Sequence, residues 1–205
     1  MNIHQLRGTR SGDVAILGNG PSLKSHPLHS IPSRVDVIGT NQSWRESESD
    51  WHVALELAQM WKPGARRVYE EYAKEDMLIV AEHPGTEGAG AWPCGIKVRL
   101  LNRTPGCIPF SRDLSRGLYE GIDGVGSVVY AALQVALWLG YAQPGTIYLV
   151  GVDLQGNHFD GSGAVGVERQ APLFSLAAQC MAGINVRVVG IDSGCTAWPR
   201  IPFPW

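Results

Sequence analysis

The chain of 205 residues carries 17 basic and 19 acidic side chains, a net charge of −2, and 44% of its residues are hydrophobic. These values exclude a disordered chain and argue against a strongly cationic nucleic-acid-binding protein. The four cysteines form no CxxC pair, residues 1–13 contain no apolar stretch of the kind found in signal peptides, and the longest apolar run, 125–139, is too short to span a membrane. We therefore expect a cytoplasmic protein with free thiols and no membrane partner.

The predicted elements alternate between short strands and helices along the chain. Continuous apolar runs predict strands at 14–17, 35–39, 52–55, 77–81, 98–101, 147–151 and 186–189, of which 98–101 is the weakest. Apolar positions at helical spacing predict helices at 127–141, with Gly140 as its stop signal, and at about 169–181. This pattern is typical of an α/β protein with an open, mostly parallel, Rossmann-like sheet and helices on both faces.

Residues 82–126 differ in composition from the rest of the chain, because they are dense in Gly and Pro with scattered Arg. We expect a single domain over 1–205 in which 82–126 form a loop-rich insertion or lid. A long surface excursion without a role of its own is the alternative, although long loops in compact domains are often functional.

A glycine-containing turn follows the first predicted strand and is the strongest local signal in the sequence. It reads Gly18-Asn19-Gly20-Pro21-Ser22, followed by Leu23. Glycines allow a sharp turn and a close approach to a ligand, Pro21 suits the first turn of a helix, and free N–H groups at a helix start bind anions such as phosphate. The segment lacks the third glycine of a dinucleotide fingerprint and the Lys of a P-loop. A simple tight turn is the alternative.

Three further segments place polar groups where a ligand could bind. Asn41 follows the second strand, at the edge where open α/β sheets bind ligands, although such a residue is also common in turns. Gly126 and Ser127 open the long predicted helix with free N–H groups. Ser193 follows the last predicted strand and is a candidate for a hydrogen bond to a ligand.

Acidic and imidazole side chains come after the strand at 147–151. Asp153 lies just past this strand, and His158 and Asp160 follow shortly after. Together these groups predict a site around a substrate hydroxyl or a divalent cation, with His158 suited to proton transfer near neutral pH. An Asx-type turn with an exposed histidine is the alternative.

The order of these motifs resembles a known family. GNGPSL (18–23), TNQ (40–42), the helix GSVVYAALQVALWLGY (126–141) and the strand IYLVGVDL (147–154) resemble the bacterial sialyltransferases with a Rossmann-like fold. The same elements resemble a broader superfamily with archaeal-type 6-hydroxymethylpterin diphosphokinases and short phage- or prophage-encoded proteins. The phage-type proteins are nearest in length and share a histidine loop, here NHFDG (157–161). The resemblance covers most of the chain except about 60–120.

The resemblance implies a nucleotide site. Asn19 and Asn41 would contact the phosphate or sugar of a nucleotide donor, and the backbone at 20–22 and 126–127 would shape the same pocket. Two departures from the family pattern concern catalysis. The family's catalytic histidine lies in a longer segment, whereas His158 is the histidine available here, and the tyrosines that hold the leaving phosphate have no counterpart after Asp153. The nucleotide-binding fold therefore transfers, and sialyl transfer itself does not.

Three functions follow. The first is glycosyl transfer from a nucleotide sugar, with His158 as base on the acceptor hydroxyl and no required cofactor. The second is a pterin-type diphosphokinase using nucleoside triphosphate and Mg²⁺, for which the resemblance implies Asp153, Asp160 and Glu56 as candidate metal ligands. The third is a non-catalytic, nucleotide- or host-factor-binding phage accessory protein. The donor base, the sugar, the acceptor and the oligomeric state, including a homo-oligomer, stay open.

Overall fold

The fold is built on one sheet of nine parallel strands, seen in a computed structural model that describes residues 2–55, 57–82, 95–101, 122–123, 127–141, 143–154, 158–161 and 170–205. The strands are β1 (Val14–Leu17), β2 (Asp36–Thr40), β3 (Trp51–Ala54), β4 (Leu78–Glu82), β5 (Ile96–Leu101), β6 (Ile122–Asp123), β7 (Thr146–Val150), β8 (Asn185–Val189) and β9 (Arg200–Ile201).

The order of the strands across the sheet is β6-β5-β4-β3-β2-β1-β7-β8-β9, and neighbouring strands pair in parallel. β1 is central, since Val14 pairs with Asp36 of β2 on one side and with Ile147 of β7 on the other. The direction of strand addition therefore reverses between β1 and β7. In sheets of this kind a crevice forms outside the carboxyl ends of the strands at such a reversal. The predicted fold class is confirmed.

Both faces of the sheet are covered. The helices are α1 (Ala65–Lys74), α2 (Val128–Leu139) and α3 (Gln170–Cys180). Alternate strand residues such as Val14 and Ile16 belong to the large core cluster that also contains α2 and α3, whereas Ala15 and Leu17 pack on the opposite face. On that opposite face α1 covers β3 and β4, and short 3-10 helices and the C-terminal segment cover β1, β7 and β8.

Local signals explain α2 well and α1 less well. The Ser127 hydroxyl accepts a hydrogen bond from the Tyr130 N–H at the start of α2, and Gly140 ends it with a φ of 104°. The sequence did not predict α1, whose buried residues are Ala65 and Tyr69 among charged neighbours. Within 82–126 the structure describes residue 82 at the end of β4, residues 95–101 with β5, and β6. The remainder lies outside the described residues, so the proposed insertion stays a prediction.

The C-terminal segment packs on its own domain. β9 pairs with β8 at the edge of the sheet, which a proline-rich segment tolerates. Beyond it, the Phe203 ring stacks on the His26 ring at 5.1 Å, and Trp205 packs edge-on against Tyr148 at 4.8 Å. Among the described helices, none is long and apolar enough to cross a membrane.

Candidate functional site

A cleft opens at the carboxyl ends of β1, β2 and β3, beside the loop after β7. The space between its walls is about 300 Å³, including the part that is open to solvent, and the residues that line it are Asn19, Asn41, Gln42, Gln59, Lys62, His158, Phe159 and Asp160. Four of the residues predicted from the sequence, Asn19, Asn41, His158 and Asp160, are thus brought together. The cleft lies beside the reversal between β1 and β7, where the topology leads us to expect a binding site.

The glycine-containing turn after β1 packs tightly against the segment after β7. A Cβ atom on Gly18 would lie 2.4 Å from the Gly151 carbonyl oxygen, and one on Gly20 would lie 2.3 Å from Asp153 Oδ2. The N–H groups of Gly18 and Gly20 donate to the carbonyl oxygens of Val150 and Gly151. These glycines therefore allow two chain segments to approach each other.

Asp153 joins the two segments. Its Oδ2 accepts from the Ser22 N–H at 2.8 Å, and its Oδ1 accepts from the Ser22 hydroxyl at 2.6 Å. The helix expected after this turn is a short 3-10 helix, Pro21–Ser25. It ends there because His26 precedes Pro27 and has the extended conformation that such a position favours. The N–H groups of Gly18, Gly20 and Ser22 are therefore occupied within the fold, in contrast to the anion site expected there.

The Asn19 side chain holds the loop after β2. Its Nδ2 donates to the Thr40 hydroxyl at 3.0 Å, and its Oδ1 accepts from the Gln42 N–H at 3.1 Å. The Thr40 hydroxyl in turn donates to the Leu17 carbonyl oxygen at 2.6 Å. Asn19 is 9% exposed and lines the cleft. It therefore fixes the spacing of β1 and β2 where the cleft begins.

Two amide oxygens in the cleft wall have no hydrogen-bond partner among the residues that the structure describes. They are Asn41 Oδ1 and Gln42 Oε1, and both are buried. The Gln42 side chain is 6% exposed, and its Nε2 donates to Gln59 Oε1 at 2.9 Å, which orients the amide. An unpaired buried acceptor costs free energy, so these oxygens favour a ligand that brings N–H or O–H donors.

Gln59 and Lys62 line the cleft from the segment after β3, and the sequence did not single them out. Gln59 lies in the 3-10 helix Leu57–Trp61, and the half-buried Lys62 directly follows it. An ammonium group in a cleft wall favours an anionic ligand. Their signal in the sequence is weak, because polar residues in a short 3-10 segment have no strand-end or helix-cap pattern.

The opposite side of the cleft is formed by the loop after β7. The Phe159 N–H donates to the Asn19 carbonyl oxygen at 2.8 Å, which ties this loop to the glycine-containing turn. Phe159 is buried, and the Lys24 ammonium lies 5.5 Å from the centre of its ring. His158 and Asp160, on either side of it, are exposed at the cleft. An imidazole here is accessible to an acceptor hydroxyl.

Other predicted residues lie elsewhere. The Ser127 hydroxyl caps α2, and the Ser193 hydroxyl donates to the Val152 carbonyl oxygen at 2.7 Å while accepting from the Cys195 N–H. Gly126 and Glu56 lie outside the described residues. Among the described residues, no group of three or more His, Cys, Asp or Glu is placed to hold a metal ion.

A buried histidine lies behind the Asn41 wall. Burial lowers the pKa of His52 from 6.5 to about 4, so the ring is neutral at neutral pH, although its hydrogen bond to the Asn41 carbonyl oxygen opposes this shift. His52 Nε2 lies 3.0 Å from that oxygen, which accepts only, so Nε2 carries the ring proton. His52 is therefore part of the support of the cleft.

The fold is similar to that of a sialyltransferase. The sialyltransferase CstII from Campylobacter jejuni in complex with the substrate analogue CMP-3FNeuAc matches 93% of this chain and 86% of its own, at a TM-score of 0.52 and 15% identity. The sialyltransferase CST-II in complex with a trisaccharide acceptor and CMP gives a TM-score of 0.50 at 15% identity, covering 94% of this chain and 86% of its own. No protein-family model matches the sequence, and no curated protein matches it.

At 15% identity, the similarity to CstII concerns the fold alone. It supports the sialyltransferase-like architecture expected from the motif order at the start, at β2 and at β7. The assignment of Gln42, Gln59 and Lys62 to the cleft rests on the structure of this chain and not on the comparison. Four residues of the strand-end motifs thus line this cleft, and its role as a binding site stays a prediction.

Proposed function

We propose that the protein is a glycosyltransferase that takes its sugar from a nucleotide sugar bound in this cleft. The observation that carries the proposal is that one cleft is lined by Lys62 and by two buried acceptors, Asn41 Oδ1 and Gln42 Oε1, which have no partner in the described part of the chain. A nucleotide sugar offers both matching features, hydroxyl or amino donors for the oxygens and a phosphate for the ammonium. The sialyltransferase-like fold supports this class of donor.

The transfer step assigns His158 as general base. The acceptor hydroxyl gives its proton to the imidazole while its oxygen forms a bond to the anomeric carbon, and the bond from that carbon to the phosphate oxygen breaks. The leaving nucleotide keeps the electron pair, and Lys62 stabilises its negative charge. Asp160, exposed at the same cleft, is the acidic candidate for orienting His158, whereas Asp153 holds the turn through Ser22.

The first test is nucleotide binding by isothermal titration, with and without Mg²⁺. Because the solved neighbours are complexes with CMP and CMP-3FNeuAc, CMP and CMP-sugars are the first probes, followed by other nucleotide sugars, nucleoside triphosphates and pterins. We expect metal-independent binding of a nucleotide sugar. Binding of a triphosphate only with Mg²⁺ would instead favour the diphosphokinase, and binding of no nucleotide would contradict the proposal.

Matched lysine variants test the cleft assignment. Lys62→Ala removes the cleft cation, and Lys74→Ala removes a lysine at the end of α1, outside the cleft lining. Losing one charge-assisted hydrogen bond costs about 1.5–3 kcal/mol, so Lys62→Ala should weaken donor binding by roughly ten-fold or more. Lys74→Ala should bind as the wild type does. Equal effects of the two substitutions would place the anion elsewhere.

His158→Ala tests the base. We expect turnover to fall by about 10²-fold or more while the Kd for the donor changes little, because the base acts on the acceptor proton. Unchanged turnover in a working transfer assay would remove His158 from the mechanism.

A further inference from the structure

The backbone of Asn41 has an unusual conformation at the cleft. Its φ is 44°, in the left-handed region that residues with a Cβ atom enter at a cost, although Asn tolerates it better than most. The Asn41 N–H still pairs with the Val53 carbonyl oxygen at 3.1 Å, which continues the sheet. This conformation turns the chain out of β2 at the residue whose amide oxygen has no partner within the described ranges.

Two buried side chains converge on the carbonyl oxygen of this residue. His52 Nε2 lies 3.0 Å from the Asn41 oxygen, and the Tyr69 hydroxyl donates to the same oxygen at 2.8 Å. A carbonyl oxygen has two lone pairs, so both are used. His52 comes from β3 and Tyr69 from α1, and both side chains are fully buried. The two donors therefore fix the orientation of the peptide group that follows Asn41.

The donors are themselves held in place. The His52 ring stacks on the Tyr72 ring at 5.1 Å with 13° between the planes, and it contacts the Tyr69 ring at 5.3 Å. On its other side, a Cβ atom at Gly39 would lie 2.6 Å from His52 Nδ1, so only glycine leaves room for the ring. Because the imidazole is held between these groups, its Nε2–H has a fixed direction.

We propose that His52 and Tyr69 are positioning residues, which hold Asn41 in its left-handed conformation and so present its amide to the ligand. Neither side chain lines the cleft, so they act through Asn41. This inference rests on the proposed function in naming a nucleotide sugar as the ligand that the amide recognises. The two hydrogen bonds from His52 and Tyr69 to the Asn41 carbonyl oxygen, called the clamp below, are independent of which ligand binds.

The first measurement is a double-mutant cycle on the Kd for a CMP-sugar and CMP. Tyr69→Phe removes one donor and keeps the ring. Losing a net hydrogen bond corresponds to about five-fold weaker binding if the amide depends on it. Asn41→Gly removes the amide and tolerates the positive φ. In that background, Tyr69→Phe should change the Kd less than about two-fold. Additive effects in the cycle would overturn the positioning role.

Tyr141→Phe is the matched control for a buried tyrosine that loses its hydroxyl partner. The Tyr141 hydroxyl bonds Asp36 at the opposite, amino end of β2, far along the strand from Asn41. We expect a loss of stability and an unchanged Kd.

The contribution of His52 is tested with two variants, His52→Gln, which keeps an N–H near Nε2, and His52→Leu, which does not. Weaker binding in the Leu variant with near wild-type binding in the Gln variant is expected, and equal binding would contradict the proposal.

A conformational measurement separates this inference from the proposed function. The intraresidue nuclear Overhauser effect between the amide and α protons of Asn41 is stronger at positive φ, where the two protons are closer, than at negative φ. Its intensity therefore reports the sign of φ by NMR in the free protein. We expect a positive φ in the wild type and a return to negative φ in the variant that combines Tyr69→Phe with His52→Leu, or in His52→Leu alone if the double variant does not fold. An unchanged φ would overturn the clamp. If the wild type binds no nucleotide, the proposed function and the recognition role fail, and the NMR measurement still decides whether His52 and Tyr69 hold the φ of Asn41 positive.

Discussion

Titration of His52 predicts a specific loss of stability in mild acid. Because burial lowers its pKa from 6.5 to about 4, the unfolded chain binds a proton more tightly than the folded protein does. Stability from this group is therefore complete above the unfolded pKa and is lost as the pH falls from about 6.5 towards about 4. With these pKa values, the linkage relation gives a loss of about 2 kcal/mol between about pH 7.5 and about pH 5.

Urea unfolding of the wild type and His52→Gln at the two pH values measures this loss. An m value of about 2 kcal/mol/M converts it into a decrease of about 1 M in the midpoint. His26, whose pKa burial also lowers, contributes to both proteins and cancels in the comparison. We expect the wild type to lose about 2 kcal/mol more than His52→Gln does over this range. Parallel losses in the two proteins would refute the assignment of His52 as buried and neutral.

Three further substitutions test contacts around the cleft by the same urea assay. Gly20→Ala places a methyl group against Asp153 and should cost about 1–3 kcal/mol, and a neutral result would mean that the turn moves freely. Thr40→Val keeps the shape but removes the bridge from Leu17 to Asn19, so we expect a loss of about 1–3 kcal/mol together with weaker nucleotide binding. Phe203→Ala removes the ring stacked on His26 and should cost about 1–2 kcal/mol with no change in nucleotide Kd.

The sheet could be predicted because its central strands are short apolar runs. Segments such as VAIL at β1 and IYLV at β7 have no competing helical pattern, and the predicted ends agree with the structure within a residue or two. Helix α1 was missed for the converse reason. Its surface is dominated by pairs such as Arg66–Glu70, and its small buried face gives little apolar periodicity.

The site could be predicted only where polar or titratable side chains follow the carboxyl end of a strand. Asn41 directly follows β2 and His158 lies in the loop after β7, so their arrival at one edge follows from parallel pairing. The role of Asp153 depends on Ser22, which is 131 residues away in sequence, and no local pattern encodes that pairing. Lys62 reaches the cleft through a 3-10 segment whose direction depends on the tertiary packing.

The reversal of strand order also determines when the cleft is completed during synthesis. β2 pairs with one edge of β1 early, but the other edge waits for β7, which comes after β3 to β6 and α2 in the chain. At the usual speed of translation this interval lasts roughly 5–20 s, during which an apolar strand has an unpaired edge. During this interval the nascent chain already contains Asn41 and does not yet contain His158. The edge of β1 that pairs with β7, beside which the ligand would bind, is therefore also the edge most exposed to mispairing before synthesis is complete.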